Sequence, residues 1–248
     1  ADDFAGVWGT TSACAENTSD RCRALIDLAN YLRMRGEYAP KGNPMKELVR
    51  RIMTQLEHLK QQFPEAVVAS ESDFTLNAGA TEADFARLEA VLGYALPEEF
   101  KELYRVADGE SGTAGVLAGE EWLSIERIIE EYGMWKNLLD DGIFADDDGT
   151  PYDCEPEDAA IKGDLWWNPK WIPLTADGSG NNKMIDMDPT EHGQIIQMWH
   201  DDAARSKEAD SLRGFLTQYA QDLEDGKYVL DTEYGLVLQS DLDEWRNE

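Results

Sequence analysis

Residues 171–199, WIPLTADGSGNNKMIDMDPTEHGQIIQMW, decide the fold class of this chain. Three short apolar runs lie in this stretch, at 171–174, 184–188 and 194–199. Clusters rich in Gly, Asn, Asp and Pro separate the runs, at 177–182 and 189–193. Short apolar runs joined by such clusters are typical of antiparallel strands connected by tight turns. The stretch therefore predicts a three-stranded antiparallel meander.

Helical patterns flank the meander on both sides. From Met45 to Leu59, apolar residues recur three and four positions apart, which is the spacing of one buried helix face. Thr81 is suited to cap a second helix and Gly93 to end it, and Pro97 suits the first turn of a third. The sequence predicts helices over 45–63, 81–92, 97–107, 124–132 and 212–223, a strand just before Ser124 and a hairpin over 226–238. The pattern therefore predicts helices on both sides of a group of short strands.

The first 44 residues differ from the rest of the chain. A breaker cluster, Lys41–Pro44, separates them from the helical pattern that starts at Met45. We therefore predict an N-terminal extension or separate module over 1–44 and a main domain over 45–248, and an arm packed on the domain stays an alternative. Cys14 and Cys22 are close enough in sequence to form a disulfide, although reduced thiols are the default for three scattered cysteines.

The chain is strongly acidic. It carries 51 acidic and 22 basic residues, a net charge of -29, and all but one unit of this excess lies in residues 45–248. Such a charge repels nucleic acids and anionic membrane surfaces, so the sequence predicts a partner with a basic surface. No apolar run approaches the length of about 20 residues that spans a bilayer. We expect a cytoplasmic protein, although a chain that begins at Ala1 leaves a removed leader open.

Patterns for catalysis or metal binding are weak. The turn from Thr175 to Asp186 loosely follows a calcium loop but lacks Asp or Asn at its first position and the terminal Glu. Cys154 lies among carboxylates, which disfavour the thiolate that a nucleophile needs. The sequence predicts a protein that is not an enzyme and that uses neither a metal nor a cofactor.

Residues 140–158 hold nine carboxylates and no basic residue. Such a segment is either a solvated loop or a surface that docks on a basic partner. Under the second interpretation, carboxylates of the segment and flanking tryptophans bind the partner. These predicted binding residues are Asp146, Asp147, Asp148, Asp153, Glu155, Trp135 and Trp166. Trp171 and Trp199 are predicted to lie in the core.

Four stretches, in this order, resemble the motifs of one family. They are ATEADFARLE with LPEEF (80–89 and 96–100), Asp-Gly at 108–109, WIPL with DGSGN (171–174 and 177–181), and the segment from Asp186 to Ile195. Over residues 46–238 the chain resembles the SUKH superfamily, named partly for the fungal Smi/Knr cell-wall regulator. It departs from a typical member by its first 44 residues and by the acidic insertion.

The resemblance implies an α+β fold, in which a mixed or antiparallel sheet packs against helices, and it implies no catalytic residues. For most bacterial members it implies immunity, and the expected function is therefore that of an immunity protein that neutralises a cognate bacterial toxin by protein–protein occlusion. Two other functions stay open: an intracellular regulatory or scaffold adaptor of the fungal cell-wall regulator type, and a carboxylate-based hydrolase.

Overall fold

A computed structural model describes residues 43–70, 73–112, 114–188 and 193–247. The predicted N-terminal extension, with Cys14 and Cys22, lies outside the described residues, so the division at residue 44 stays a prediction. From Pro44 onward the chain forms one compact unit. Within the described ranges, no helix combines the length and the apolar character that crossing a bilayer requires.

The first half of the domain is helical, and three of its four helices were predicted, all but the one that begins at Pro64. Its helices are α1 (Pro44–Gln62), α2 (Pro64–Ser70), α3 (Glu82–Leu92) and α4 (Glu98–Tyr104). The Thr81 hydroxyl accepts from the Asp84 amide and the Asp84 carboxylate accepts from the Thr81 amide, and Gly93 ends α3 with φ +78°. Helix α4 ends earlier than predicted because the Tyr104 carbonyl accepts a hydrogen bond from Ala80, which lies outside the helix.

The second part contains the predicted meander within a mixed sheet. Its elements are β1 (Glu121–Trp122), α5 (Ile125–Asp140), β2 (Glu155–Pro156), β3 (Trp171–Pro173), β4 (Thr175–Ala176), β5 (Asn182–Asp186), β6 (Gln194–Met198) and β7 (Ala204–Ala209). Five strands pair in the order β2-β7-β6-β5-β3, while β1 pairs with β4. Strands β3, β5, β6 and β7 are antiparallel neighbours and β2 runs parallel to β7. The α+β class with a mixed sheet is confirmed.

The C-terminal part contains the predicted helix and hairpin. They are α6 (Leu212–Glu224), β8 (Tyr228–Asp231) and β9 (Gly235–Leu238), and a short helix, α7 (Gln239–Trp245), follows. Apolar residues of α6 three and four positions apart are buried, which gives the helix one face for the core. Helix α7 was not predicted; of its residues, only Leu242 is buried.

The Asp108-Gly109 turn joins three elements. The Ile125 amide donates to the Asp108 carboxylate over 2.8 Å, next to the Ser124 hydroxyl that caps α5. Gly109 has φ +69°, and a Cβ atom there would lie 2.5 Å from the Ser124 nitrogen. The turn therefore brings the chain after α4 against the junction of β1 and α5, which explains why both an Asp and a Gly are needed.

Candidate functional site

A groove of about 600 Å³ lies between the sheet and the C-terminal elements. The sheet, helix α6, and the β8–β9 hairpin with α7 each contribute residues, as do the loops before β1 and after β4. The main lining residues are Gly119, Glu120, Asp177, Lys183, Gln197, Trp199, Ser206, Glu208, Phe215, Tyr219, Asp222, Tyr228, Tyr234, Leu236, Leu238, Asp241 and Trp245. We call this surface the acidic groove. Its volume is in the range of ligand-binding clefts.

A polar row across three strands forms the sheet side of the acidic groove. Lys183 of β5 pairs in register with Gln197 of β6, which pairs with Ser206 of β7. Trp199, two positions beyond Gln197, falls on the same face as that residue if the alternation of strand side chains continues. This face of the sheet is therefore polar at the groove, whereas Ile196 and Met198 are fully buried.

The one ammonium group in the lining is fully engaged. Lys183 Nζ contacts Glu120 Oε1 and donates to Gln197 Oε1 over 3.0 Å. The other oxygen of Glu120 accepts from the Thr175 hydroxyl, and Gln197 is buried. Lys183 therefore neutralises Glu120 and contributes little positive charge to the open part of the groove.

Carboxylates give the groove a negative potential. Glu120, Asp177, Glu208, Asp222 and Asp241 all line it. Burial raises the pKa of Tyr228 most, and four of these carboxylates, all except Asp177, raise it further. A phenol resists ionisation when negative charges surround it, which is the direction in which these carboxylates act on Tyr228.

Aromatic side chains form the rim. Trp199, Tyr234 and Trp245 are 41%, 46% and 46% exposed, and the rings of Tyr234 and Trp245 lie 5.1 Å apart. Among described residues, the only other exposed aromatic side chain is Tyr152. Exposed apolar surface that clusters at one cleft is typical of an interaction site.

The Cys and His side chains that the structure describes lie outside the groove lining. Within the lining, the Ser206 hydroxyl lies 3.0 Å from a Glu208 oxygen. Elsewhere, burial raises the pKa of the Cys154 thiol, which disfavours the thiolate. Asp177 accepts from the amides of Ser179 and Asn181, so its carboxylate shapes the β4–β5 turn. Across the described ranges, no group of three or more potential ligands is placed to hold a metal ion.

The predicted acidic surface lies elsewhere. None of the seven residues predicted to bind the partner lines the acidic groove. Asp146, Asp147 and Asp148 are exposed in a turn, where Asp146 Oδ1 accepts from the Thr150 amide over 3.0 Å. Asp153 is exposed, and Glu155 is exposed on β2.

Two tryptophan assignments are wrong. Trp135 is buried: its indole donates to Asn182 Oδ1 over 3.0 Å, so it is a core residue and not an accessible anchor. Its spacing from Ile128 and Tyr132 on α5 already indicated one buried helix face. Trp199, predicted as core, is on the groove rim because it follows the end of β6. Trp171 is buried, as predicted.

Trp166 is half-buried rather than free. The ring centroids of Trp166 and Phe144 lie 6.4 Å apart. The Arg205 guanidinium lies 5.2 Å from the ring centroid of Trp166. Arg205 is fully buried, and its Nη2 donates to the Trp166 carbonyl. Trp166 therefore has a structural role in covering a buried cation, whether or not a partner contacts its exposed part.

Comparison with known proteins identifies related sequences. The profile of the SMI1/KNR4 family (SUKH-1) matches residues 79–218, which is more than half of the chain. The chain is 32% identical over 62% of its length to the cell wall biosynthesis/cell cycle regulator smi1 of Schizosaccharomyces pombe. It is 24% identical over 63% of its length to the glucan synthesis regulatory protein of Neurospora crassa and to the cell wall assembly regulator SMI1 of Saccharomyces cerevisiae.

These relatives overturn the predicted toxin immunity. They are fungal and are named as regulators of the cell wall or of glucan synthesis, so the expectation of a bacterial immunity protein with a cognate toxin is wrong. The motifs behind it form helix caps, a turn and core strands, so they specify the fold and not the branch of the family. The match spans about a third of the length of each of these relatives.

Proposed function

The chain belongs to the SMI1/KNR4 family (SUKH-1), and from that premise we propose that it is a regulatory adaptor of the fungal cell-wall type, acting in the cytoplasm. It works by binding a partner protein and has no catalytic step of its own. Three relatives named as regulators, rather than as enzymes, support this function. The match covers about a third of each of these relatives, so we propose, by analogy, that this chain has the same kind of role.

One structural observation carries the binding role: the acidic groove collects three exposed aromatic side chains at its rim. Tryptophan and tyrosine are enriched among the residues that dominate protein interfaces, because they bury a large rigid area at little entropic cost. Carboxylates along the same groove favour a partner of opposite charge and disfavour acidic proteins. The acidic segment, residues 140–158, is a separate charged surface and stays the alternative binding site.

A chimaera tests the function in cells. The region of the S. pombe regulator that matches this chain is replaced by the chain, in a strain that lacks the natural gene. We expect the chimaera to restore growth under a cell-wall-digesting enzyme. A chimaera with Trp199→Ala and Trp245→Ala should fail at the same protein level, because both groove anchors are lost.

The matched control carries Tyr152→Ala, which removes an exposed aromatic side chain outside the groove and should restore growth like the unchanged chain. A chain that never restores growth, although the S. pombe region put back in the same way does, would refute the adaptor function. Equal growth with the groove and control variants would instead separate the function from the groove.

A further inference from the structure

We propose that the acidic groove recognises an arginine-containing, extended segment of a partner protein, whose guanidinium group lies against the aromatic rim and donates to carboxylates. This inference rests on the proposed function and specifies the chemistry of the partner. A direct binding measurement tests it independently of the chimaera.

Three carboxylates of the groove lack a cationic partner among the described residues, although both oxygens of Asp177 accept hydrogen bonds within the β4–β5 turn. Within the described part of the chain, no Lys or Arg lies at ion-pair distance from Asp177, Glu208 or Asp241. The other two are paired, Glu120 with Lys183 and Asp222 with Lys227. The groove therefore presents a negative surface whose counter-charge has to come from outside the described residues.

The aromatic rim selects among cations. Trp199 and Trp245 are the two exposed tryptophans of the described residues, and both line this groove. A planar guanidinium stacks on an indole face and donates hydrogen bonds to carboxylates at its edges at the same time. An ammonium group is a compact, strongly hydrated charge and loses more hydration in the same position. The combination of rings and unpaired carboxylates thus favours arginine over lysine.

The size and charge of the groove favour an extended peptide. A volume of about 600 Å³ holds more than one side chain. Nucleic acid and phosphorylated segments are repelled by the unpaired carboxylates, and a wholly apolar segment would leave those carboxylates desolvated without a partner. An extended chain with arginine at alternate positions places successive guanidinium groups on one face, which matches a groove with several carboxylates along it.

Fluorescence anisotropy tests the proposal with the full chain of 248 residues. The probe is a fluorescein-labelled heptapeptide in which glycine and arginine alternate, and the comparison peptides carry lysine or the neutral isostere citrulline instead. We expect the arginine peptide to bind best, the lysine peptide more weakly and the citrulline peptide not measurably. Binding should weaken as salt rises, because exposed charges are screened.

Matched variants locate the site. Glu208→Gln with Asp241→Asn removes two groove charges, and Asp147→Asn with Asp153→Asn removes two exposed charges of the acidic segment. The groove pair should weaken arginine-peptide binding by about fivefold to tenfold, as expected for two exposed charge contacts. Trp245→Ala should weaken it by about fivefold, since an exposed cation–π contact contributes little more. The acidic-segment pair and Tyr152→Ala should change it less than about twofold.

Several results would overturn the proposal. Equal losses of affinity for the two charge-pair variants would show that peptide binding depends only on the net charge of the protein. Equal binding of the arginine and citrulline peptides would exclude guanidinium recognition.

Sedimentation gives a further check: a dimer that Trp245→Ala dissociates would assign the groove to a second copy of the chain. Because Glu208→Gln is an exposed polar substitution, circular dichroism should show an unchanged fold. Failure of the chimaera with intact peptide binding would count against the adaptor function only.

Discussion

Lys183 and Glu120 form an ion pair in which both side chains are largely withdrawn from water, with 11% and 14% of each exposed. Lys183 belongs to β5 and Glu120 precedes β1, so the pair links the sheet to the loop that borders the acidic groove. Removing one partner leaves the other charge in a poorly solvated position. The pair therefore contributes to the shape of the groove as well as to its charge.

We predict that Lys183→Met and Glu120→Gln each lower the free energy of unfolding by about 3 kcal/mol, because each leaves one buried group without its counter-charge. The double variant should lose less than the sum of the two, since no isolated charge remains. Urea denaturation of the four proteins measures this coupling. Losses that simply add would show that the two residues act independently.

We predict opposite behaviour for two tryptophans. Trp135→Ala should lower the free energy of unfolding by about 3–5 kcal/mol, because it empties a buried position and leaves Asn182 without its indole donor. Trp245→Ala should lower it by less than about 1 kcal/mol, since the ring is nearly half exposed. Urea denaturation compares them, and a larger loss for Trp245 would place its ring in the core.

Much of the fold could be predicted because local signals agree with tertiary contacts. Thr81 caps the beginning of α3 with its hydroxyl, and Gly93 ends the helix in a left-handed conformation. The apolar runs around Met184 and Ile195 pair as β5 and β6. Strand β7, ARSKEA, was not predicted since it has no apolar alternation. It forms because β6 and β2 pair with its two edges and because the buried Arg205 donates to carbonyl groups.

The groove could not be predicted because, like β7, it depends on tertiary contacts and has no local sequence pattern. Its residues come from segments far apart in sequence, such as Glu120, Trp199 and Asp241, and the sequence alone gives no measure of their proximity. The densest run of carboxylates drew attention to 140–158 instead. A local signal was present for Trp199, because two positions after Gln197 it falls on the face of that polar residue, and not on the face of Ile196 and Met198, if the strand alternation continues.

Gly109 provides a prediction about the turn that follows α4. Gly109→Ala should destabilise the protein by well over about 2 kcal/mol, because it combines a positive φ with a clash against the Trp122–Ser124 backbone. Gly226→Ala is the matched control: its φ is +71°, and a Cβ atom there meets nothing within 4 Å. The control should lose only about 1–2 kcal/mol. Equal midpoints in thermal unfolding would show that the close approach at Gly109 relaxes at no cost.

Asp186 leads to a prediction about pH. It is fully buried on β5, where its oxygens accept from the Asp188 amide and from Gln194 Nε2, each over 2.9 Å. Burial raises the pKa of Asp186 and is the largest effect, while the hydrogen bonds from the Asp188 amide and Gln194 oppose it. The charges of Asp188 and Lys162 have smaller effects of opposite sign. The folded state therefore binds this proton more tightly than the unfolded state does, and ionisation of Asp186 reduces stability.

The sign of the pH effect follows from this order of pKa values. As pH rises from about 4, the ordinary pKa of Asp, to the higher pKa of Asp186 in the folded state, the wild type should lose stability relative to Asp186→Asn. Above that window the difference between the two proteins should be constant. Asp84→Asn should show the opposite sign, because hydrogen bonds from Thr81 lower the pKa of Asp84 and its stabilising effect is lost as pH falls. Urea denaturation in steps from about pH 2 to 7 covers both windows, because that of Asp84 lies below the ordinary pKa of Asp, about 3.9. A wild type that instead gains stability relative to Asp186→Asn as pH rises would mean that the two hydrogen bonds outweigh burial and that the carboxylate is stabilised in its charged form.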